Sequence, residues 1–177
     1  MKLLHVVPIG DFPGEMLDNL APILADTFRT PCEILPCAMS PAFAFHGERR
    51  QYHSSEILYR MQDWVRPDTW RMLGVTAVDL YIPILTFVFG EAQMGGPCAI
   101  VSAHRLRQEF YGLEQDSALL HDRLAKECIH ELGHTLDLSH CGDYRCAMAA
   151  SHAVEWIDLK EGTLCPDCEA RVFDSAM

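Results

Sequence analysis

No stretch of this chain approaches the roughly 18 consecutive apolar residues that a membrane-crossing helix needs. Basic residues are also scarce: 14 Lys and Arg stand against 25 Asp and Glu, a formal net charge of −11. A surface of that sign repels phosphate backbones and anionic lipid, which excludes nucleic acid and membrane as expected partners. Repeats and low-complexity segments are missing, so neither a repeat array nor a biased linker divides the chain. No export signal is expected either. Met1 to Ile9 carries one Lys and a short apolar run closed by Pro8 and Gly10, too short and too β-branched for a signal peptide. A cytoplasmic location and a monomer are the expectations. At 177 residues the chain suits a single domain with a real core.

What the chain does contain is His130-Glu131-Leu132-Gly133-His134-Thr135-Leu136-Asp137-Leu138-Ser139-His140. It reads H-E-x-x-H, followed six residues later by a third histidine. On a helix, His130 and His134 stand one turn apart and project from one face. Glu131 lies about 100° further round, close enough to touch a water on a metal held there without being a ligand. His140 cannot ride the same helix and still reach that metal, so the chain must break after His134 and turn back. Three neutral nitrogens with an open fourth position make a catalytic zinc centre, not a closed structural one. Zinc so held lowers the pKa of its bound water towards ~7, and Glu131 is the natural general base for that water.

Of eight cysteines, Cys141, Cys146, Cys165 and Cys168 cluster and end in C-x-x-C. That spacing favours a second, tetrahedral thiolate zinc site, with disulfide pairing as the alternative. His140 and Cys141 are neighbours, and neighbouring side chains on extended backbone point to opposite sides. One can serve the first metal and the next the second. Cys32, Cys37, Cys98 and Cys128 are scattered through apolar segments and read as buried free thiols.

His130 to His140, followed by Cys141, Cys146-Ala147-Met148 and Cys165-Pro166-Asp167-Cys168, resembles the archaemetzincin family of zinc metallopeptidases. Phe87-Val88-Phe89-Gly90-Glu91 and Val101-Ser102-Ala103-His104-Arg105-Leu106 extend the likeness upstream. The resemblance implies a twisted mixed β-sheet with a backing helix near 54–66 and an active-site helix. It also implies a Met-turn that places Met148 as an apolar floor beneath the zinc histidines, and an edge strand near Thr86 to Glu91 that holds an extended peptide. One position departs: metzincins usually place Gly where this chain has Asp137.

The residue pattern alone supports an α/β (α+β) layering of the same kind. Leu3 to Pro8 reads as a buried strand. Met16, Leu17, Leu20, Ile23, Leu24, Thr27 and Phe28 recur at helical spacing, with Pro22 tolerated if Asn19 caps the helix. Pro31 to Leu35 is a second strand candidate, and 36–51 reads as a loop. Ser54 is placed to cap a helix that Pro67 stops. Leu73 to Ile82, Thr86 to Phe89 and Cys98 to Ser102 read as strands, the last two separated by the turn Met94-Gly95-Gly96-Pro97. The active-site helix is expected from Asp116 or Ser117 to about Leu136, with Cys128 turned into the core opposite the zinc face. Residues 1–137 then form an N-terminal subdomain, and 138–177 a small C-terminal subdomain with the Met-turn and the four-cysteine zinc site.

His5, His46, His53, His104, His121 and His152 show no partner spacing and read as surface or hydrogen-bonded histidines. His104, Arg105 and Tyr144 are conceivable substrate contacts. The expected function is a zinc metallopeptidase acting on peptides or small unfolded proteins, with two Zn²⁺ ions, one catalytic and one structural. Rival readings are an aminopeptidase, a zinc-binding module with an idle peptidase site, and a nucleic-acid-binding zinc ribbon, the last opposed by the acidic charge.

Overall fold

The computed structural model describes residues 1–36 and 39–174. Cys37, one of the expected buried thiols, lies outside them. Four strands form a parallel run: β1 (Leu3–Ile9), β2 (Cys32–Ile34), β5 (Thr69–Thr76) and β8 (Cys98–Ser102). The order is β2-β1-β5-β8-β7, where β7 (Gly90–Ala92) closes the edge antiparallel to β8. Parallel strands covered on both faces are apolar throughout, and the core divides by strand alternation. Leu4, Val6, Leu73, Val75, Ala99 and Val101 face one layer. Val7, Ile9, Met72, Cys98 and Ile100 face the other.

The first layer holds α1 (Gly14–Thr27) and α3 (Ser117–Thr135), packed on each other and on the sheet. The second holds α2 (Ser54–Met61), which buries Ile57, Leu58 and Met61. Helix α2 is thus the backing helix expected from the sequence, on the face opposite α3. Short α4 (Val154–Leu159) and α5 (Pro166–Asp174) follow the site. No helix among the described residues is long and apolar enough to cross a membrane.

Several boundaries differ from expectation, each for a local reason. Helix α1 begins at Gly14, so Asn19 is no cap and Pro22 sits inside the helix. Pro22 and Asp18 are both exposed, so water can serve the carbonyl that the proline leaves unpaired. Residues expected as loop instead contain a 3-10 turn, Pro41–Ala44, and strands β3 (Phe45–His46) and β4 (Gln51–His53). With β6 (Leu80–Tyr81) they make a second sheet, β3-β4-β6. His53, not Ser54, precedes α2, and the Ser54 hydroxyl is engaged with Tyr81 and Glu91 instead.

The strand expected over Leu73 to Ile82 stops at Thr76 because Asp79 is claimed elsewhere. Arg105 grips its carboxylate at 2.7 and 2.8 Å, Gln51 donates to it at 3.1 Å, and the chain leaves the main sheet there. Thr86 to Phe89 is not a strand. The carbonyls of Leu85 and Thr86 accept from the side chains of Arg49 and Gln51, and the edge strand begins at Gly90.

Candidate metal centre and cleft

Helix α3 starts where Asp116 accepts the Leu119 N–H at 2.9 Å. Leu124, Cys128, Ile129 and Leu132 sink into the core, which leaves His130, Glu131 and His134 along the cleft. The helix ends in a Schellman turn. Leu138 N–H reaches the Gly133 carbonyl and Asp137 N–H the His134 carbonyl, each at 3.1 Å, with Asp137 in the left-handed region at φ 62°. That turn carries Leu138 and then His140 back over the helix. Asp137 itself packs against Gly95 and faces the charge of Arg71.

His130, His134 and His140 bring one ring nitrogen each into a group whose atoms lie within 4.8 Å of one another. A carbonyl can only accept, so two of the tautomers follow from geometry. His130 Nδ1–H donates to Ala147 at 2.8 Å, and His134 Nδ1–H to Leu138 at 2.7 Å. Both Nε2 atoms therefore present lone pairs, yet they stand 3.0 Å apart. Two facing lone pairs repel unless a cation lies between them. Nitrogen ligands at ~2.0–2.1 Å from a tetrahedral ion stand about 3.3 Å apart, so the donor set fits zinc. Burial holds all three imidazoles below their usual proton affinity, His130 most strongly and with the Lys160 charge adding to it. They are neutral, as ligands must be.

Glu131 is buried beside them, and burial pushes its carboxyl well above the usual range, with Glu127 and Glu91 adding repulsion. Edge strand β7 presses close to it. A Cβ on Gly90 would stand 2.8 Å from Glu131 Cγ and 2.6 Å from the Ile100 carbonyl, so only glycine permits the approach. The cleft runs between this edge, with Leu85 to Glu91, and Ala150, Ser151 and His152.

Behind the histidines, the Met148 carbonyl accepts the Cys141 N–H at 2.9 Å and closes the turn that buries Ala147 and Met148. Met148 lies against Gly133, where a Cβ would collide with its sulfur. Cys141, Cys146, Cys165 and Cys168 form a second convergent set, with Cys141 and Cys165 sulfurs 3.8 Å apart. A disulfide needs ~2.05 Å, whereas sulfurs at ~2.3 Å from a tetrahedral ion stand about 3.8 Å apart. Backbone N–H groups of Met148 and Cys165 point at Cys146 Sγ at 3.4 and 3.3 Å, a donor pair suited to thiolate. The donor set fits zinc here also.

The remaining sequence candidates fall elsewhere. His104 is taken up with Ala77 and Arg107, and Arg105 with Asp79, away from the cleft lining. Tyr144 is exposed and outside that lining. Cys98 and Cys128 are fully buried, whereas Cys32 is partly exposed. Sequence reasoning missed three residues of the site. Glu91 lines the cleft, and the Ser55 hydroxyl donates to its carboxylate at 2.7 Å. Lys160 and Glu127 form a buried pair at 3.3 Å beside His130. Helical spacing places Glu127 on the same face as His130, three residues on, but nothing in the sequence marks Lys160 as its partner.

Residues 14–173 match the model of peptidase family M54. The archaemetzincin of Methanocaldococcus jannaschii is 40% identical over 172 residues, covering 96% of this chain and 92% of that protein. Among solved structures, a zinc-dependent peptidase from Methanocorpusculum labreanum superposes with a TM-score of 0.86 at 29% identity, covering 96% of this chain and 99% of that one. Archaemetzincin from Archaeoglobus fulgidus, solved with malonate, gives 0.82 at 32% identity, covering 96% and 99%.

Proposed function

The chain belongs to peptidase family M54, the archaemetzincins, and on that premise we propose that it hydrolyses peptide bonds with Glu131 as general base beside a zinc ion held by His130, His134 and His140. The observation that carries the reading is the pair of Nε2 lone pairs facing each other at 3.0 Å, with both Nδ1 protons committed to carbonyls. When bound there, zinc supplies Lewis acidity that acidifies water and polarises a peptide carbonyl. Glu131 takes the water proton on its carboxylate, and the resulting carboxylic acid hands it to the leaving amine. Burial raises the proton affinity of Glu131, which favours its taking the water proton.

An extended substrate lies along β7, the sheet edge that lines the cleft at Gly90 and Glu91. Backbone pairing of this kind gives affinity with little sequence choice. Cys141, Cys146, Cys165 and Cys168 hold a second, structural zinc that staples the loop of Met148 to α5. An aminopeptidase is a second reading, favoured by Glu91, whose carboxylate faces the cleft and accepts only hydroxyl donors in the bonds described for it.

Glu131→Gln tests the mechanism. It is close to isosteric and cannot take the proton, so turnover falls by about 10²–10⁴-fold while zinc stays bound. A peptide library with free and blocked N-termini separates the two peptidase readings. Near-normal turnover of the variant rejects the mechanism. Failure of the two-zinc wild type to cut any peptide rejects peptidase activity itself.

A further inference from the structure

On the reading of His130 as a metal ligand, we propose that Lys160 is a positioning residue for that imidazole, acting through the Ala147 carbonyl and through Glu127. The Lys160 side chain is fully buried at the end of α4, 33 residues from Glu127 in sequence. Its ammonium lies 3.2 Å from the Ala147 carbonyl, 3.3 Å from Glu127 Oε1 and 3.4 Å from His130 Nδ1. The last contact is no bond, because Nδ1–H is already donated to that same carbonyl at 2.8 Å. Two donors thus converge on Ala147, one from the ligand ring and one from the lysine. The lysine fixes the oxygen that fixes the ring.

Glu127 supplies the second half. It precedes His130 by three residues and Glu131 by four, so the three side chains share one stripe of α3. Glu127 also reaches the cleft lining. A buried carboxylate there without a partner turns to the nearest cation, which is the metal. Lys160 occupies it. The centre is then left with three imidazoles, one free carboxylate (Glu131) and an open position. Groups that orient a ligand in this way change metal affinity or activity by about 10–100-fold when lost.

Lys160→Met, Lys160→Arg and the neutral double variant Glu127→Gln/Lys160→Met test this. Readouts are far-UV circular dichroism, zinc affinity of the three-histidine site by chelator competition, the d–d spectrum of Co²⁺ in that site, and kcat and KM. The expected result for Lys160→Met is a native dichroism spectrum, an altered cobalt spectrum as the unpaired Glu127 turns to the metal, and a fall in kcat at nearly constant KM. Lys160→Arg, which keeps charge and donors, recovers much of this. The double variant carries no unpaired buried charge and folds even where the single one does not. It lacks the donor to Ala147 and has no Glu127 carboxylate to turn to the metal, so its zinc affinity falls about tenfold or more. A wild-type cobalt spectrum in a folded Lys160→Met, or wild-type zinc affinity in the double variant, overturns the proposal. Absence of metal from the three-histidine site of the wild type is a different failure, because it removes the reading of His130 on which the proposal stands.

Discussion

The Met148 sulfur fills the space that a Cβ on Gly133 would take. Met148 is fully buried, and Gly133 lies between His130 and His134, so the contact ties the floor of the site to the helix that carries it. Gly133→Ala therefore pits two effects against each other. Alanine favours a helix interior over glycine by about 1 kcal/mol. Overpacking a filled core costs ~1–3 kcal/mol, and here the obstacle is a sulfur wedged beneath the helix. The expected outcome is a net loss of up to about 2 kcal/mol in urea unfolding, with weaker metal binding. Adding Met148→Ala frees the space and recovers part of the binding. A Gly133→Ala protein more stable than wild type contradicts this packing.

The two donor sets predict an order of metal loss. His140 is exposed and the three-histidine group opens on the cleft, whereas Cys146 and Cys168 are buried. A chelator removes the ion of the three histidines first and leaves the fold intact. An ion on the four cysteines would leave later, and 138–177 then loses its hydrogen-exchange protection while the sheet of 1–137 keeps it, because the four cysteines join α5 to the Met148 loop. Zinc release followed beside hydrogen exchange reads both steps. A single cooperative loss of both ions with global unfolding argues against two independent sites.

Legibility in the sequence followed the range of the interactions. The histidine face of α3 and its Asp116 cap depend on neighbours within a few residues, while β1 and β8, whose partners are distant, are marked by continuous apolar runs. The second sheet did not announce itself. Strands β3 and β6 are two residues each and exist only because β4 meets partners distant in sequence. The stop at Thr76 depends on Arg105 gripping Asp79, 26 residues away. Lys160 was invisible for the same reason: a lone lysine after an amphipathic turn reads as solvated until α4 docks it under His130.

Cys98 provides a pH prediction. Burial pushes its thiol up to about 12 from an ordinary value of 9.0, and β8 carries it wholly inside the core. A folded pKa above the unfolded one means that the native state holds the proton more tightly. The stabilisation is fully present below pH 9 and drains away as pH rises towards 12. Cys98→Ala loses packing at every pH but has no proton to lose. Its deficit in unfolding free energy against wild type should therefore shrink between about pH 9 and 11. A deficit that is constant over that range rejects a buried neutral thiol.

Asp137 is where this chain departs from the glycine usual in metzincins, and the structure shows what the position requires. At φ 62° it is the left-handed residue of the turn that ends α3 and returns the chain towards His140. Glycine takes that conformation freely, while aspartate reaches it at a cost of ~1 kcal/mol, eased by its short polar side chain. Asp137 also gains from facing Arg71, but exposed charges contribute little, about 0–1 kcal/mol. Glycine in turn loosens the unfolded chain, which takes back ~0.4–1 kcal/mol. The balance is close, so Asp137→Gly should fall between roughly 0.5 kcal/mol more stable and 1 kcal/mol less stable than wild type, with activity kept. Zinc affinity should also hold, because Asp137 is absent from the group of converging donors while His140 is in it. Asp137→Val makes the opposite prediction: a β-branched residue at positive φ strains the turn, misplaces Leu138 and its bond to His134, and weakens the site. Zinc affinity by chelator competition, measured on both variants, decides. Loss of the catalytic ion in Asp137→Gly would make Asp137 a ligand and remove His140 from that role.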